Sequence, residues 1–125
     1  MRGVERPVSP HWIYRWEITM WLSSLHRITG LLLSLGAVVL AAWLIALASG
    51  PDSFATASAI VGAPWFKPLL VGWTFCFFFH LANGVRHLTW DAGYGFDPQR
   101  IRASGRWVIA LTLLATAAFT YAAII

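Results

Sequence analysis

Four residues of one stretch carry chemistry that a hydrophobic helix does not ordinarily hold: His80, Asn83, Gly84 and His87. Their spacing from His80, three, four and seven residues, gathers them on one side of a helix. An imidazole inside an apolar run is costly in a membrane unless it is hydrogen-bonded or coordinated. A haem iron meets that need; an interhelical hydrogen bond is the plainer way to meet it. At a rise of about 1.5 Å per residue, His80 lies roughly 15 Å from Trp90 at the helix end. Gly84, one turn on, removes a side chain where a flat macrocycle would need room. His87, another turn along and near the interface, suits a haem propionate or a phospholipid headgroup.

A second constellation, Ser23, His26, Arg27 and Gly30, repeats the three, four and seven spacing and so shares one helical face. Ser23 donates or accepts a hydrogen bond and Arg27 presents a fixed fork of donors, a pair suited to a quinone carbonyl or a haem propionate. The alternative is that His26 and Arg27 simply snorkel to the headgroups. Six-coordinate b-type haem needs an axial ligand on each face of the ring. His80 and His87 leave the same face of one helix and cannot sandwich an iron. His26 begins several residues closer to water than His80, a depth mismatch that disfavours an intrachain pair without excluding it. The second ligand is therefore expected from a partner subunit.

These residues must be positioned by membrane helices. The chain has 125 residues, 58% of them apolar and 11% charged, far from the usual soluble composition. Three stretches lack Asp, Glu, Lys and Arg: 28–51, 68–85 and 107–125. Since about 20 apolar residues cross the hydrocarbon core, each spans once flanking residues are included. The expected fold is all-α, one domain, with a segment at 1–19 on the cytoplasmic interface and transmembrane helices over about 20–49, 64–90 and 104–125. Between the first two, polar and small residues after Gly50–Pro51 suggest one external helical turn. Gly93, Gly95 and Pro98 predict turns through 91–105. Eight of the nine basic residues flank the N-terminal side or the second cytoplasmic loop, and only Lys67 lies at the other end. This places the N-terminus in the cytoplasm and the C-terminus in the periplasm. Residues 1–19 lack the apolar core of a signal peptide, and a bacterial inner membrane is the simplest address.

Several functions are disfavoured. The net charge of +4 is not gathered into a basic patch, so nucleic acid is not an expected partner; membrane lipid is. Cys76 is the single cysteine, which rules out an internal disulfide or a cysteine-built cluster on this chain and reads as a small buried hydrophobe. All five acids, Glu5, Glu17, Asp52, Asp91 and Asp97, lie outside the charge-free stretches. A carboxylate-driven transporter does not fit. No Ser-His-Asp arrangement or phosphate-binding glycine loop is present.

The strings Arg6-Pro7-Val8-Ser9-Pro10-His11, Ser23-Ser24-Leu25-His26-Arg27-Ile28-Thr29-Gly30 and His80-Leu81-Ala82-Asn83-Gly84-Val85-Arg86-His87, continuing to Gly93, resemble the large cytochrome b membrane-anchor subunit of succinate dehydrogenase, respiratory Complex II. The resemblance implies a helical bundle shared with a small membrane-anchor subunit, beneath an iron–sulfur subunit and a flavoprotein that carry the iron–sulfur clusters and FAD. It implies haem b with His80 as axial iron ligand and a histidine of the small anchor opposite. Ser23 and Arg27 match ubiquinone-contacting positions; His26, Arg27 and His87 match positions near the haem propionates, and Asp91 lies at the same membrane face. No catalytic residue is expected on this chain alone. A fumarate reductase anchor running the reverse reaction, and a purely structural anchor without haem, are the alternatives.

Overall fold

A computed structural model describes residues 16–123. The motif at 6–11 and most of the expected interfacial segment lie outside the described residues, as do 124 and 125. Four helices follow in order: α1 (Ile18–Ala48), α2 (Pro51–Val61), α3 (Lys67–Asp91) and α4 (Pro98–Ala123). Three of them, α1, α3 and α4, are long and apolar enough to cross a membrane. The all-α membrane architecture is as expected, with differences at the ends.

Helix α1 has 31 residues, about 46 Å at the α-helical rise, so it exceeds a hydrocarbon core of about 30 Å and must tilt or protrude. It stops at Ser49 and Gly50, whose φ of 115° only glycine adopts readily. Pro51 then opens α2 in the first turn, where a missing N–H costs nothing. The expected single turn is a helix of 11 residues. Trp43 of α1 meets Phe54 of α2 edge-on, with centroids 5.2 Å apart.

The largest departure is at α4, expected from about 104 and found from Pro98. Asp97 caps it: its Oδ1 accepts from the backbone N–H of Gln99 at 2.9 Å and of Arg100 at 3.2 Å. Asp followed by Pro is a helix-start signal, and here it outweighs the turn reading. The predicted loop therefore shrinks to residues 92–97.

Helix α3 packs against both α1 and α4. The pairs His26–Gly84, Gly30–His80 and Gly36–Trp73 run in opposite chain directions, so α1 and α3 are antiparallel. The core is small: Leu22, Phe79 and Val108, flanked by Ile18, Leu25, Phe75 and Ala82. At Gly105 an added Cβ would lie 3.0 Å from Leu22 Cδ1, so the α4 backbone packs directly on the Leu22 and Ile18 side chains of α1. Most large apolar residues remain exposed; in water this would be untenable, but these faces suit lipid and neighbouring helices.

Candidate functional site

The seam between α1 and α3 gathers His26 and Gly30 of one constellation and His80, Gly84 and His87 of the other. The rings of His26 and His80 stack, with centroids 3.8 Å apart and planes 10° apart. His26 also meets His87 at 5.2 Å, and His87 meets Trp90 edge-on at 5.3 Å. The expected depth mismatch between His26 and His80 is not found. Because α1 starts at Ile18 and α3 runs on to Asp91, the two histidines lie about 12 and 16 Å along their helices from the same side, a difference that side chains span. Stacked at this separation the rings leave no space for a third layer. An iron bound by both is excluded in this arrangement by contact rather than by depth.

His80 is held more firmly than the spacing alone foretold. Its Nδ1 lies 3.2 Å from the backbone oxygen of His26 and 3.3 Å from Oγ1 of Thr29. A carbonyl oxygen only accepts, so Nδ1 carries the hydrogen. The lone pair of the neutral ring then resides on Nε2, to which no described residue hydrogen-bonds. His26 differs: its Nδ1 is buried without a hydrogen-bond partner among the described residues.

Of the two glycines, Gly30 is the close-approach position. A Cβ on Gly30 would lie 3.1 Å from His80 Cε1, and one on Gly84 would lie 3.8 Å from His26 Cε1. The contact at Gly30 is tighter than ordinary packing, whereas that at Gly84 is an ordinary van der Waals distance that a Cβ could occupy. Ser23 is half-buried and Arg27 exposed on α1. Among the described residues neither is hydrogen-bonded or ion-paired through its side chain. They stand available to a ligand or a partner.

Arg86 behaves unlike the loop-flanking cation it resembles in sequence. It is 5% exposed, sealed between α3 and α4. Its Nε donates to Ser104 Oγ at 2.9 Å, Nη2 to the Ile101 oxygen at 3.2 Å, and Nη1 to Asn83 Oδ1 at 3.4 Å. Its guanidinium carbon sits 4.1 Å above the Trp90 ring. A planar, weakly hydrated cation over an indole face tolerates burial better than an ammonium would. The network ties the histidine-bearing end of α3 to the start of α4. The only advance signal was Arg86 one turn before an aromatic residue.

A helical membrane anchor with an imidazole-lined seam is the class that these elements define. The family model for the succinate dehydrogenase/fumarate reductase transmembrane subunit matches residues 2–119, and the chain belongs to that family. It is accordingly a subunit of an enzyme complex. Over 113 residues it is 38% identical to the succinate dehydrogenase cytochrome b556 subunit of Rickettsia felis, covering 90% of this chain and 88% of that one. The protein of the same name from Paracoccus denitrificans is 37% identical, covering 84% and 82%. The mitochondrial cytochrome b560 subunit of Sus scrofa is 36% identical, covering 91% and 69%.

Proposed function

We propose that this chain is the cytochrome b membrane anchor of a succinate:quinone oxidoreductase, holding haem b through His80 Nε2 and contributing Ser23 and Arg27 to the ubiquinone-reduction site. The observation that carries the reading is the polarity of the His80 ring: two acceptors at Nδ1 leave Nε2 as the nitrogen with a lone pair. Neutral imidazole with its other nitrogen hydrogen-bonded to oxygen is the usual form of a metal-ligating histidine. The donor chemistry therefore fits a haem iron. Haem b, when bound, supplies a one-electron carrier inside the membrane. This chain's own part is to present one nitrogen, to exclude water from it with α1 and α3, and to offer polar groups along the flank.

The stacking of His26 on His80 supports a second axial ligand from the small anchor subunit. His26 and His87, adjacent to His80, suit the propionate side, and Arg27 supplies a cation within one residue of His26. Ser23 and Arg27 suit the quinone, one by hydrogen-bonding a carbonyl and the other by stabilising negative charge that develops on reduction. The flavoprotein and iron–sulfur subunits, with FAD and the iron–sulfur clusters, complete the electron path from succinate. The complex resides in a bacterial inner membrane with this chain's N-terminus cytoplasmic and C-terminus periplasmic, as the distribution of Lys and Arg favours.

The test uses the assembled complex. His80→Ala alters the reduced-haem optical spectrum; a spectrum identical to wild type would falsify the ligand assignment. Ser23→Ala and Arg27→Ala lower quinone reduction while succinate oxidation with a dye acceptor persists. Equal loss of both activities would remove the quinone role.

A further inference from the structure

The imidazole of His80 is constrained on three sides. His26 covers one face at 3.8 Å, Gly30 abuts Cε1 closely enough that an added Cβ would lie at 3.1 Å, and Thr29 reaches Nδ1. Of these, the threonine alone hydrogen-bonds the His80 ring through its side chain; His26 does so through its backbone oxygen. Resting on the reading of His80 as the haem ligand, we propose that Thr29 is its positioning residue: beside the His26 carbonyl that sets the proton on Nδ1, the Thr29 hydroxyl is a second acceptor that reinforces that tautomer and holds the plane in which Nε2 is offered.

The argument follows the hydroxyl's one hydrogen. Thr29 Oγ1 donates to the His26 backbone oxygen at 3.0 Å, one turn back on the same helix. That bond commits its single proton, so toward His80 Nδ1, at 3.3 Å, the hydroxyl presents a lone pair. The His26 oxygen, 3.2 Å from the same nitrogen, is also an acceptor. Two acceptors converge on one nitrogen, and only a protonated Nδ1 satisfies both.

Burial makes the arrangement exclusive. Thr29 is 1% exposed, so water cannot replace its oxygen. β-Branching restricts χ1, and the bond to the His26 oxygen selects the rotamer that aims Oγ1 across the seam. An acceptor on the far nitrogen also makes the ligating nitrogen more basic, which favours the oxidised iron. Removing it moves the haem midpoint potential upward.

Threonine at this position also packs, and the experiment separates packing from hydrogen bonding. Thr29→Val keeps the shape and removes the hydroxyl; Thr29→Ser keeps the hydroxyl and removes a methyl. In the purified complex we expect Thr29→Val to raise the haem midpoint potential and to speed haem loss to an excess of apomyoglobin about tenfold, the lower end for losing an outer-shell partner of a ligand. Thr29→Ser restores both to near wild type. Wild-type potential and haem retention in Thr29→Val overturn the proposal, as does a Thr29→Ser variant as perturbed as the valine one. If Thr29→Val fails to assemble, the serine variant alone decides, because a packing role predicts a shift there and a hydroxyl role predicts none. His80→Ala runs in parallel: an unchanged haem spectrum in that variant defeats the ligand reading itself, whereas an altered one beside an inert Thr29→Val defeats only the role of Thr29.

Discussion

Replacing Gly30 by alanine is the sharpest probe of the seam. The new Cβ would sit 3.1 Å from His80 Cε1 and 3.6 Å from Nδ1, where ordinary contact begins at 3.4 Å. The ring must recede by about 0.3 Å or more, and with His26 stacked on its face it has little freedom to do so. Recession lengthens the contacts of Nδ1, already 3.2 and 3.3 Å, toward the limit of a hydrogen bond. Overpacking of this kind costs about 1–3 kcal/mol, offset by about 1 kcal/mol from replacing glycine in a helix. The net expectation is a loss of roughly 0–2 kcal/mol. Gly72 is the control, since nothing lies within 4 Å of its added Cβ; there the helix term acts alone. Thermal denaturation of the detergent-purified complex compares Gly30→Ala, Gly72→Ala and wild type. Gly30→Ala melts below Gly72→Ala, and its haem spectrum shifts. If Gly30→Ala melts at or above the control with an unaltered spectrum, the close approach of His80 to α1 is refuted.

The network around Arg86 predicts an unusual order of tolerance. Arg86→Lys loses the fork that reaches Ser104 and Ile101 while keeping a buried charge, at a cost of about 3 kcal/mol; Arg86→Met, without charge, costs less. Chemical denaturation of the complex reads this, and lysine outperforming methionine contradicts it. Asp97→Ala removes the cap of α4 for about 1 kcal/mol and speeds amide exchange at Gln99 and Arg100, whereas Asp97→Asn stays near wild type. Unchanged exchange in the alanine variant argues that the first turn is held by other contacts.

Spans are legible here because a charge-free stretch of adequate length has few folded fates in a lipid solvent. Their ends are less so. The stretch 107–125 excludes Arg100, Arg102 and Arg106, yet α4 begins before all three, because Asp97 and Pro98 set the start and a helix protruding from the membrane tolerates arginine. His26 and His80 lie level for a related reason: α1 begins at Ile18 and α3 runs to Asp91, beyond the limits that the charge-free stretches suggest. Arg86 shows another gap: in a count of basic residues it resembles its neighbours, and only the proximity of Ser104 and Trp90, supplied by the return of α4, reveals it as interior. Partner residues across a seam belong to tertiary structure, and no local pattern in α3 states that Thr29 waits opposite His80.

One regularity in the sequence does become intelligible with the helices in place. Histidine followed four residues later by glycine occurs on α1 as His26 and Gly30 and on α3 as His80 and Gly84. Antiparallel packing sets each histidine against the other helix's glycine, closely at Gly30 and at ordinary contact distance at Gly84, and the two rings stack between them. Such a local twofold would make the histidines equivalent. The residue before each glycine breaks the equivalence: Thr29 serves Nδ1 of His80, whereas Asn83 turns its Oδ1 to Arg86, and neither its Nδ2 nor Nδ1 of His26 has a hydrogen-bond partner among the described residues. One imidazole thus has its proton assigned to Nδ1 and the other does not. That inequality, rather than depth in the membrane, favours His80 over His26 as the metal ligand. It also requires that a His26→Ala variant keep its haem axial coordination, since the His26 contribution to His80 is a backbone oxygen that alanine retains.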